Sequence, residues 1–239
     1  MRPVDRGDCP RDTAGADVVF AEYGHARPYL IARLGDYCSF CEMRLPNPDV
    51  EHVRHKDGNP ALECTWSNFL LSCKSCNSTK GTQVATAAHV AAHLWPDQDR
   101  TFDAFIYEVG GVVRLAPIGG ATTATRAAAT ADLVGLLKRP GQGLTAEQIK
   151  KGSDRRYKLR SDAWDEAIES REDLKRNDTP EMRRQILKTA RALGFWSVWL
   201  TVFRDDPQMV DALVNGLSFP GTAPARLYPI PALPVAAPV

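Results

Sequence analysis

Two pairs of cysteines decide the fold of this chain: Cys38-Ser39-Phe40-Cys41 and, further along, Cys73-Lys74-Ser75-Cys76. Two residues between the cysteines allow a tight turn to direct both sulfur atoms at one ion, and two such turns complete a tetrahedral zinc site. A structural zinc contributes roughly 10–16 kcal/mol to a small domain, whereas closing the intervening loop costs about 3 kcal/mol. We therefore expect Cys38, Cys41, Cys73 and Cys76 to bind one structural zinc. The alternative is four thiols that fill apolar space.

The composition is typical of a soluble globular protein. The chain has 239 residues, of which 44% are hydrophobic and 25% charged, and its formal net charge is +1. These proportions argue against disorder and fibres, and the net charge neither indicates nor excludes a nucleic-acid partner. The longest apolar stretch, residues 195–203, is far shorter than the roughly 20 residues of a membrane helix. Because the N-terminus also lacks the apolar core of a secretion signal, we expect a cytoplasmic protein with no membrane partner.

Capping signals and apolar spacing predict mostly helices after the cysteine pairs. Gly110-Gly111 favours a hairpin within residues 102–115. Thr179-Pro180 and Asp206-Pro207 each combine a capping side chain with a proline in the first turn, which marks a helix start. The predicted helices cover residues 27–34, 84–94, 161–177, 180–193, 195–203 and 207–214.

The chain is predicted to have four parts. These are an N-terminal arm over residues 1–23, a core over 24–120, a helical region over 121–219 and a proline-rich tail over 220–239. The core contains every residue that suggests chemistry, and the density of prolines in the tail predicts an extended, weakly ordered segment. No internal repeat is found.

A possible catalytic group lies between the cysteine pairs. Glu51-His52 is flanked by valines and suits a short strand. Adjacent strand residues point to opposite faces, so this pair alone does not make a site. Asn68, before the second cysteine pair, and Asn77, directly after it, add polar side chains of the kind that hold loops or metal ions.

These residues together resemble the HNH endonuclease family. The family pattern is C-x-x-C, then an acid and a histidine, then Asn-Leu, then C-x-x-C-Asn-x-x-Lys-Gly, and it matches Asn68-Phe69-Leu70 and residues 73–81 here in order and spacing. The resemblance covers about a quarter of the chain. It implies an α+β fold: a zinc-held, treble-clef-like ββα-metal core surrounded by helices, followed by a mainly α-helical C-terminal half.

A second resemblance extends beyond the core. Residues 66–73, together with Gly194-Phe195-Trp196-Ser197-Val198-Trp199 and Phe219-Pro220-Gly221-Thr222, are similar to the HNH proteins of bacterial antiphage systems such as Septu and some retrons. In those systems the nuclease works beside an ATPase. The resemblance therefore implies DNA as substrate, a partner ATPase and a role in antiviral defence.

The HNH resemblance also implies a role for each site residue. His52 would be the general base, since an ordinary histidine pKa near 6.5 suits proton transfer at neutral pH. Glu51 and Asn77 would hold a catalytic Mg²⁺ or Mn²⁺, which stabilises charge on the scissile phosphate. Asn68 would fix the loop that presents His52. The implied products carry a 5′-phosphate and a 3′-hydroxyl.

Two lysines are implied as phosphate ligands, and two positions depart from the family pattern. Lys80 and Lys56 would meet the substrate phosphates. His55 occupies the place before Lys56 where the antiphage relatives commonly have proline, which makes it a rival base. Glu51 replaces the aspartate of many HNH enzymes, and its longer side chain leaves the metal geometry open.

Other patterns carry weaker implications. His89 and His93 are spaced like two ligands on one helix face, but no H-E-x-x-H motif accompanies them. The basic run 150–160 could follow DNA phosphates, with Tyr157 stacking on a base, or could be a solvated surface. The alternative function is a non-catalytic zinc module that binds nucleic acid or a protein, and a third possibility is activity only within a complex.

Overall fold

The protein combines helices with two small sheets. The computed structural model describes residues 1–117 and 120–230, about half of them helical. In the first sheet, β1 (Asp49–His52) pairs with β2 (Phe69–Ser72) in antiparallel register, which sets His52 opposite Phe69. In the second, β3 (Phe105–Glu108) pairs antiparallel with β4 (Val112–Leu115). This mixed α and β class agrees with the expected fold class.

The helices concentrate in the C-terminal half. In chain order they are α1 (Arg27–Leu34), α2 (Lys74–Lys80), α3 (Ala87–Ala91), α4 (Ala121–Val134), α5 (Ala146–Lys151), α6 (Arg156–Arg176), α7 (Pro180–Leu193), α8 (Trp196–Val202) and α9 (Pro207–Val214). Short 3₁₀ turns connect several of them. None of the helices in the described ranges has both the length and the apolar composition that crossing a bilayer requires.

The segment from residue 49 to residue 80, which includes the second cysteine pair, forms a strand, a loop, a second strand and a helix. Helix α2 starts directly after Cys73, the residue that follows β2. The Cys73 sulfur caps the helix by accepting the backbone N–H of Cys76 at 3.3 Å. The helix ends at Gly81. Because α2 is only two turns long, Asn77 and Lys80 stay close to the sheet. The order strand, strand, helix is the one that the resemblance implies.

Most of the local predictions are correct, and one helix is shorter than predicted. Helix α1 and the glycine-turned hairpin lie where the sequence places them. The predicted helix over 84–94 is wrong in extent, since only α3 forms. Thr86 starts it by accepting the backbone N–H of His89, and the preceding carbonyls of Val84 and Ala85 are bonded to the loop after β1 instead.

The described part of the proline-rich tail is packed, so the prediction of a weakly ordered segment is wrong for residues 220–230. Leu227 is fully buried, and the Arg100 guanidinium donates to the carbonyls of Leu227, Tyr228 and Pro229. Prolines limit the backbone conformations of a segment, but they do not prevent it from packing against the core. Residues 231–239 lie outside the described residues.

The C-terminal motifs pack directly against the first cysteine turn. Glu42, the residue after Cys41, has a positive φ of 67°, which is unusual for a side chain with a Cβ. Its carbonyl accepts the backbone N–H of Phe195 at 2.9 Å. A Cβ at position 194 would lie 2.7 Å from that carbonyl oxygen, so only glycine fits there. The Glu42 carboxylate accepts the backbone N–H and the hydroxyl of Ser197, both at 2.6 Å.

We expect Glu42→Gln to lower the free energy of unfolding by about 2–3 kcal/mol, because an amide cannot accept both bonds of Ser197 and the N–H of Arg2. Urea denaturation measures this as a lower midpoint with an unchanged slope. The control is Glu22→Gln, since Glu22 is exposed and its side chain caps no helix. Equal stability of the two variants would contradict a structural role for Glu42.

Candidate active site and metal centre

The four paired cysteines meet at one buried point. Their sulfur atoms all lie within 4.8 Å of one another, and the Sγ atoms of Cys41 and Cys73 are 3.7 Å apart. Tetrahedral coordination with Zn–S bonds of about 2.3 Å places sulfurs about 3.8 Å apart. The cluster therefore has the donor type, number and spacing that zinc requires, and it could hold a zinc ion. No other group of three or more such ligand side chains occurs in residues 1–117 and 120–230.

The backbone around the cluster is arranged for thiolates. The N–H of Cys41 donates to the Cys38 sulfur at 3.5 Å, and the N–H of Cys76 donates to the Cys73 sulfur at 3.3 Å. Burial raises the pKa of the Cys41 and Cys76 thiols, so a metal ion has to displace their protons on binding. All four cysteines are buried, and a closed sulfur shell of this kind is structural because it leaves no position for substrate.

A cleft of about 290 Å³ lies beside the first sheet, and several of the predicted site residues line it. The end of β1 contributes Glu51 and His52, and the first turn of α2 contributes Asn77. The loop after β1 contributes the rest. The residues of this cleft that matter for the chemistry are Tyr23, Glu51, His52, His55, Lys56 and Asn77.

His52 is held by one polar and two aromatic contacts. Its Nε2 lies 2.8 Å from the carbonyl oxygen of Glu63, and its ring meets those of Tyr23 and Phe69 edge-on at 5.0 and 5.3 Å. A carbonyl can only accept, so Nε2 carries the proton, and the neutral ring keeps its free electron pair on Nδ1. Burial lowers the pKa of His52 below its ordinary value of 6.5, which favours this neutral form.

Lys80 does not have the surroundings that a phosphate ligand requires. The side chain is 1% exposed, and Nζ lies 2.8 Å from Glu51 Oε1 and 2.7 Å from the carbonyl oxygen of His52. The second carboxylate oxygen of Glu51 accepts the Ser72 hydroxyl at 3.3 Å. These contacts argue against the predicted contact of Lys80 with substrate, which stays a prediction. Lys80 lies one turn of helix beyond Cys76, and there the Glu51 carboxylate neutralises it.

The ion pair with Lys80 also affects the pKa and the free acceptor positions of Glu51. Burial raises the pKa of its carboxyl group above the ordinary value of 4.5, and the ammonium of Lys80 opposes that effect. Each carboxylate oxygen has two lone pairs, so the bonds to Lys80 and Ser72 leave acceptor capacity. Asn77, at the start of α2, is half-buried and lines the cleft. The two predicted metal ligands thus border one cavity.

Asn68 lies under the loop that follows His52. Its Oδ1 accepts the backbone N–H of Arg54 at 2.8 Å, while its Nδ2 donates to the carbonyls of Arg54 and Leu62 at 2.9 and 3.2 Å. The side chain is buried. One amide thus connects the two ends of the loop between β1 and β2. Such contacts are what a residue that fixes this loop needs.

Two further cleft residues differ in their partners. The Lys56 ammonium forms an ion pair with Glu63 at 3.1 Å and lies 5.1 Å from the centre of the Tyr23 ring, with 40% of the side chain exposed. His55 is half-buried, and its Nδ1 is buried with no hydrogen-bond partner among the described residues. Lys56 therefore remains available to a phosphate, and His55 remains the rival imidazole.

The basic run 150–160 does not form a continuous cationic surface. Two of its three arginines, Arg156 and Arg160, are buried, and Arg160 donates to the carbonyl of Gly111 at 2.8 Å. Lys151 and Lys158 form ion pairs one turn along their own helices, with Glu147 and Asp162. The hypothesis that this run follows DNA phosphates fails for these two buried arginines, because helix α6 begins within the run and turns them into the core.

Sequence reasoning missed three partners of the site. Tyr23 contacts the His52 ring, Glu63 supplies the carbonyl for Nε2, and Ser72 bonds Glu51. Ser72 could have been found from the register of the hairpin, since it lies on the same face as Glu51 across the strand pair. Tyr23 and Glu63 carried no local signal.

Comparison with known proteins finds partial similarity to one defence protein. A stretch of 64 residues is 41% identical to the Septu protein PtuB of Bacillus thuringiensis, and the match covers 23% of this chain and 25% of that relative. The similarity therefore spans about a quarter of the curated relative's length. No protein-family model matches the chain, and no solved structure matches it.

Proposed function

We propose that this protein is a metal-dependent HNH endonuclease that hydrolyses phosphodiester bonds in DNA, and that it acts as the effector nuclease of an antiphage defence system. The observation that carries the proposal is the single cleft shared by Glu51, His52 and Asn77 on a strand–strand–helix frame that ends in the cysteine cluster. The similarity to the Septu protein PtuB supports the defence role.

In this proposal His52 activates the attacking water. The Glu63 carbonyl holds the proton on Nε2, so Nδ1 of the neutral ring accepts the proton that water loses. The lowered pKa keeps the ring neutral near pH 7. Asn68 acts as a positioning residue, because its amide ties the ends of the loop that begins at His52. Lys56 binds a substrate phosphate by exchanging its exposed partner Glu63 for it.

Glu51 and Asn77 are the proposed ligands of a catalytic Mg²⁺ or Mn²⁺. Carboxylate and amide oxygens are the donors that such hard cations prefer, and both side chains border the cleft. When bound, the cation supplies positive charge near the scissile phosphate. The contact with Lys80 reduces the negative charge that Glu51 offers, so we expect the cation to bind weakly in the absence of substrate.

The second candidate is a non-catalytic zinc module that binds nucleic acid or a protein. The buried ion pair between Glu51 and Lys80 favours it, since a carboxylate neutralised by lysine serves a structural role without any metal. This alternative requires no special arrangement around His52. The bond from Nε2 to Glu63 and the loop fixed by Asn68 are the reasons for ranking it second.

We expect zinc-loaded protein to nick supercoiled plasmid DNA in the presence of Mg²⁺ or Mn²⁺. We expect no nicking when Mg²⁺ and Mn²⁺ are withheld. Asn77→Ala should lose at least tenfold in rate because it removes one cation ligand. Zinc content is measured in every sample, since a chelator strong enough to remove Mg²⁺ can also remove zinc. The control is Asn215→Ala, because the Asn215 side chain is exposed and donates to the Asp211 carboxylate on the surface.

The partner is part of the same experiment. The reaction is repeated with a candidate partner ATPase added, because the resemblance to the HNH proteins of antiphage systems implies such a partner. Activity that appears only with the ATPase would support action within a complex. Absence of cleavage of DNA and RNA under every condition, with zinc retained, would refute the nuclease and leave the zinc module.

A further inference from the structure

The residue that links the cysteine cluster to the helical half is Arg156, at the start of α6. Its NH1 group lies 3.0 Å from the Cys76 sulfur, although the two residues are 80 positions apart along the chain. The side chain is 3% exposed, so water does not compete for this contact. Arg156 comes from the basic run that the sequence indicated as a possible DNA contact.

All five N–H groups of the Arg156 guanidinium can be assigned to acceptors. NH1 donates to Cys76 Sγ and to the Val134 carbonyl at 2.8 Å, and NH2 donates to the Gly135 carbonyl at 3.0 Å. Nε and the second hydrogen of NH2 donate to the Asp154 carboxylate. Only arginine offers five donors in one plane, so no other side chain could satisfy this set.

These contacts join three elements that are distant in sequence. Val134 and Gly135 are the last residue and the cap of α4, where the final carbonyls lack partners within the helix. A positive charge there is also favourable for the helix dipole. Cys76 belongs to α2, and Asp154 lies two residues before the first residue of α6. Arg156 therefore closes α4, docks α6 and contacts the cluster at the same time.

We infer that Arg156 is the positioning residue that couples zinc binding at the four cysteines to the docking of α4 and α6. Four thiolates around one Zn²⁺ carry a net charge of −2, and burying that charge is costly unless a cation lies beside it. Arg156 offsets one of these charges and donates a hydrogen bond to one of the sulfurs. Zinc in turn fixes the position of the Cys76 sulfur, the acceptor that Arg156 contacts at 3.0 Å.

The inference predicts that Arg156→Met speeds zinc release to a chromophoric chelator by about 10–100-fold, the usual cost of losing a partner of a metal ligand. Arg156→Lys should fall between that variant and the wild type, because lysine keeps the charge but loses the planar fork. The matched control is Arg155→Met, which removes the exposed neighbouring arginine and should release zinc at the wild-type rate.

A spectroscopic readout separates this role from general destabilisation. With Co²⁺ in place of zinc, the sulfur-to-cobalt charge-transfer band should move to lower energy in Arg156→Met, because the sulfur lone pairs lose a hydrogen bond. A variant that is only less stable would keep the wild-type band. An unshifted band together with wild-type zinc release would overturn the inference.

If Arg156→Met does not fold, hydrogen exchange on the wild-type protein tests whether zinc binding is coupled to the docking of α4 and α6. Removal of zinc should increase exchange first at the amides around residues 134–136 and in the first turn of α6, while α9 remains protected. Unchanged exchange at the end of α4 would overturn the coupling. None of these readouts involves phosphodiester hydrolysis, so their failure and the failure of the proposed nuclease are distinguishable.

Discussion

Replacing His52 with alanine should reduce metal-dependent DNA cleavage by about 10²–10⁴-fold, the range that loss of a general base typically produces. Zinc content should remain at the wild-type level, since His52 lies in the cleft and not among the four sulfurs. Plasmid nicking under single-turnover conditions measures the effect, with the thermal midpoint recorded alongside. A cleavage rate like that of the wild type would remove His52 from the mechanism.

His55→Ala is the variant that distinguishes the two imidazoles. If His52 is the base, loss of His55 should cost far less activity than loss of His52. His89→Ala serves as the background control, because His89 is exposed on α3 and lies outside the cleft. The reverse order, with His55→Ala inactive and His52→Ala active, would transfer the role to His55.

The pH profile adds an independent check on the base. Burial lowers the pKa of His52, so the neutral, proton-accepting ring should persist to pH values below 6.5, the ordinary pKa. Cleavage should therefore decline only as the pH falls below 6.5. An acid limb centred above 6.5 would show that the essential base is not this buried imidazole.

The second large effect is expected at Lys80. Lys80→Met should lower the free energy of unfolding by about 3–5 kcal/mol, because it leaves the buried carboxylate of Glu51 without its counter-ion. Chemical denaturation measures the change. The matched control on the same helix is Lys74→Met, whose ion pair with Asp49 is exposed and should contribute less than about 1 kcal/mol.

A double variant tests whether the lost stability arises from the ion pair between Glu51 and Lys80. Combining Lys80→Met with Glu51→Gln removes both charges, so we expect a large part of the stability lost in Lys80→Met to return. A phosphate-binding lysine would behave differently. Lys80→Met would then leave stability unchanged and would weaken DNA binding with a smaller dependence on salt.

The cysteine pairs and several helix starts could be predicted from the sequence because their signals are local. The spacing of Cys73 and Cys76 determines that both sulfurs face one point, whatever surrounds them, and the helix starts at Thr179 and Asp206 follow from a capping side chain with proline after it. The roles of Glu51, His52, Asn68 and Asn77 stay predictions, although the fold brings Glu51, His52 and Asn77 to one cleft.

The corrections have a common origin in contacts between distant parts of the chain. A basic run predicted an exposed surface, yet Arg156 and Arg160 are buried because α6 begins inside it. Prolines after residue 220 predicted a loose tail, yet Leu227 packs in the core. Composition describes what a segment tends to do alone, and burial depends on which other segment offers a surface for it.

The amino-acid sequence by itself determined the turn at each cysteine pair, the helix starts and the hairpin glycines, since each depends on residues within a few positions of one another. Only the tertiary structure decided that Lys80 neutralises Glu51, that Arg156 contacts Cys76 and that Glu42 binds Ser197. A charged side chain takes whichever counter-charge or acceptor the packing brings near it, and desolvation makes that pairing obligatory. Such partners lie far apart in the chain, so no local pattern reveals them.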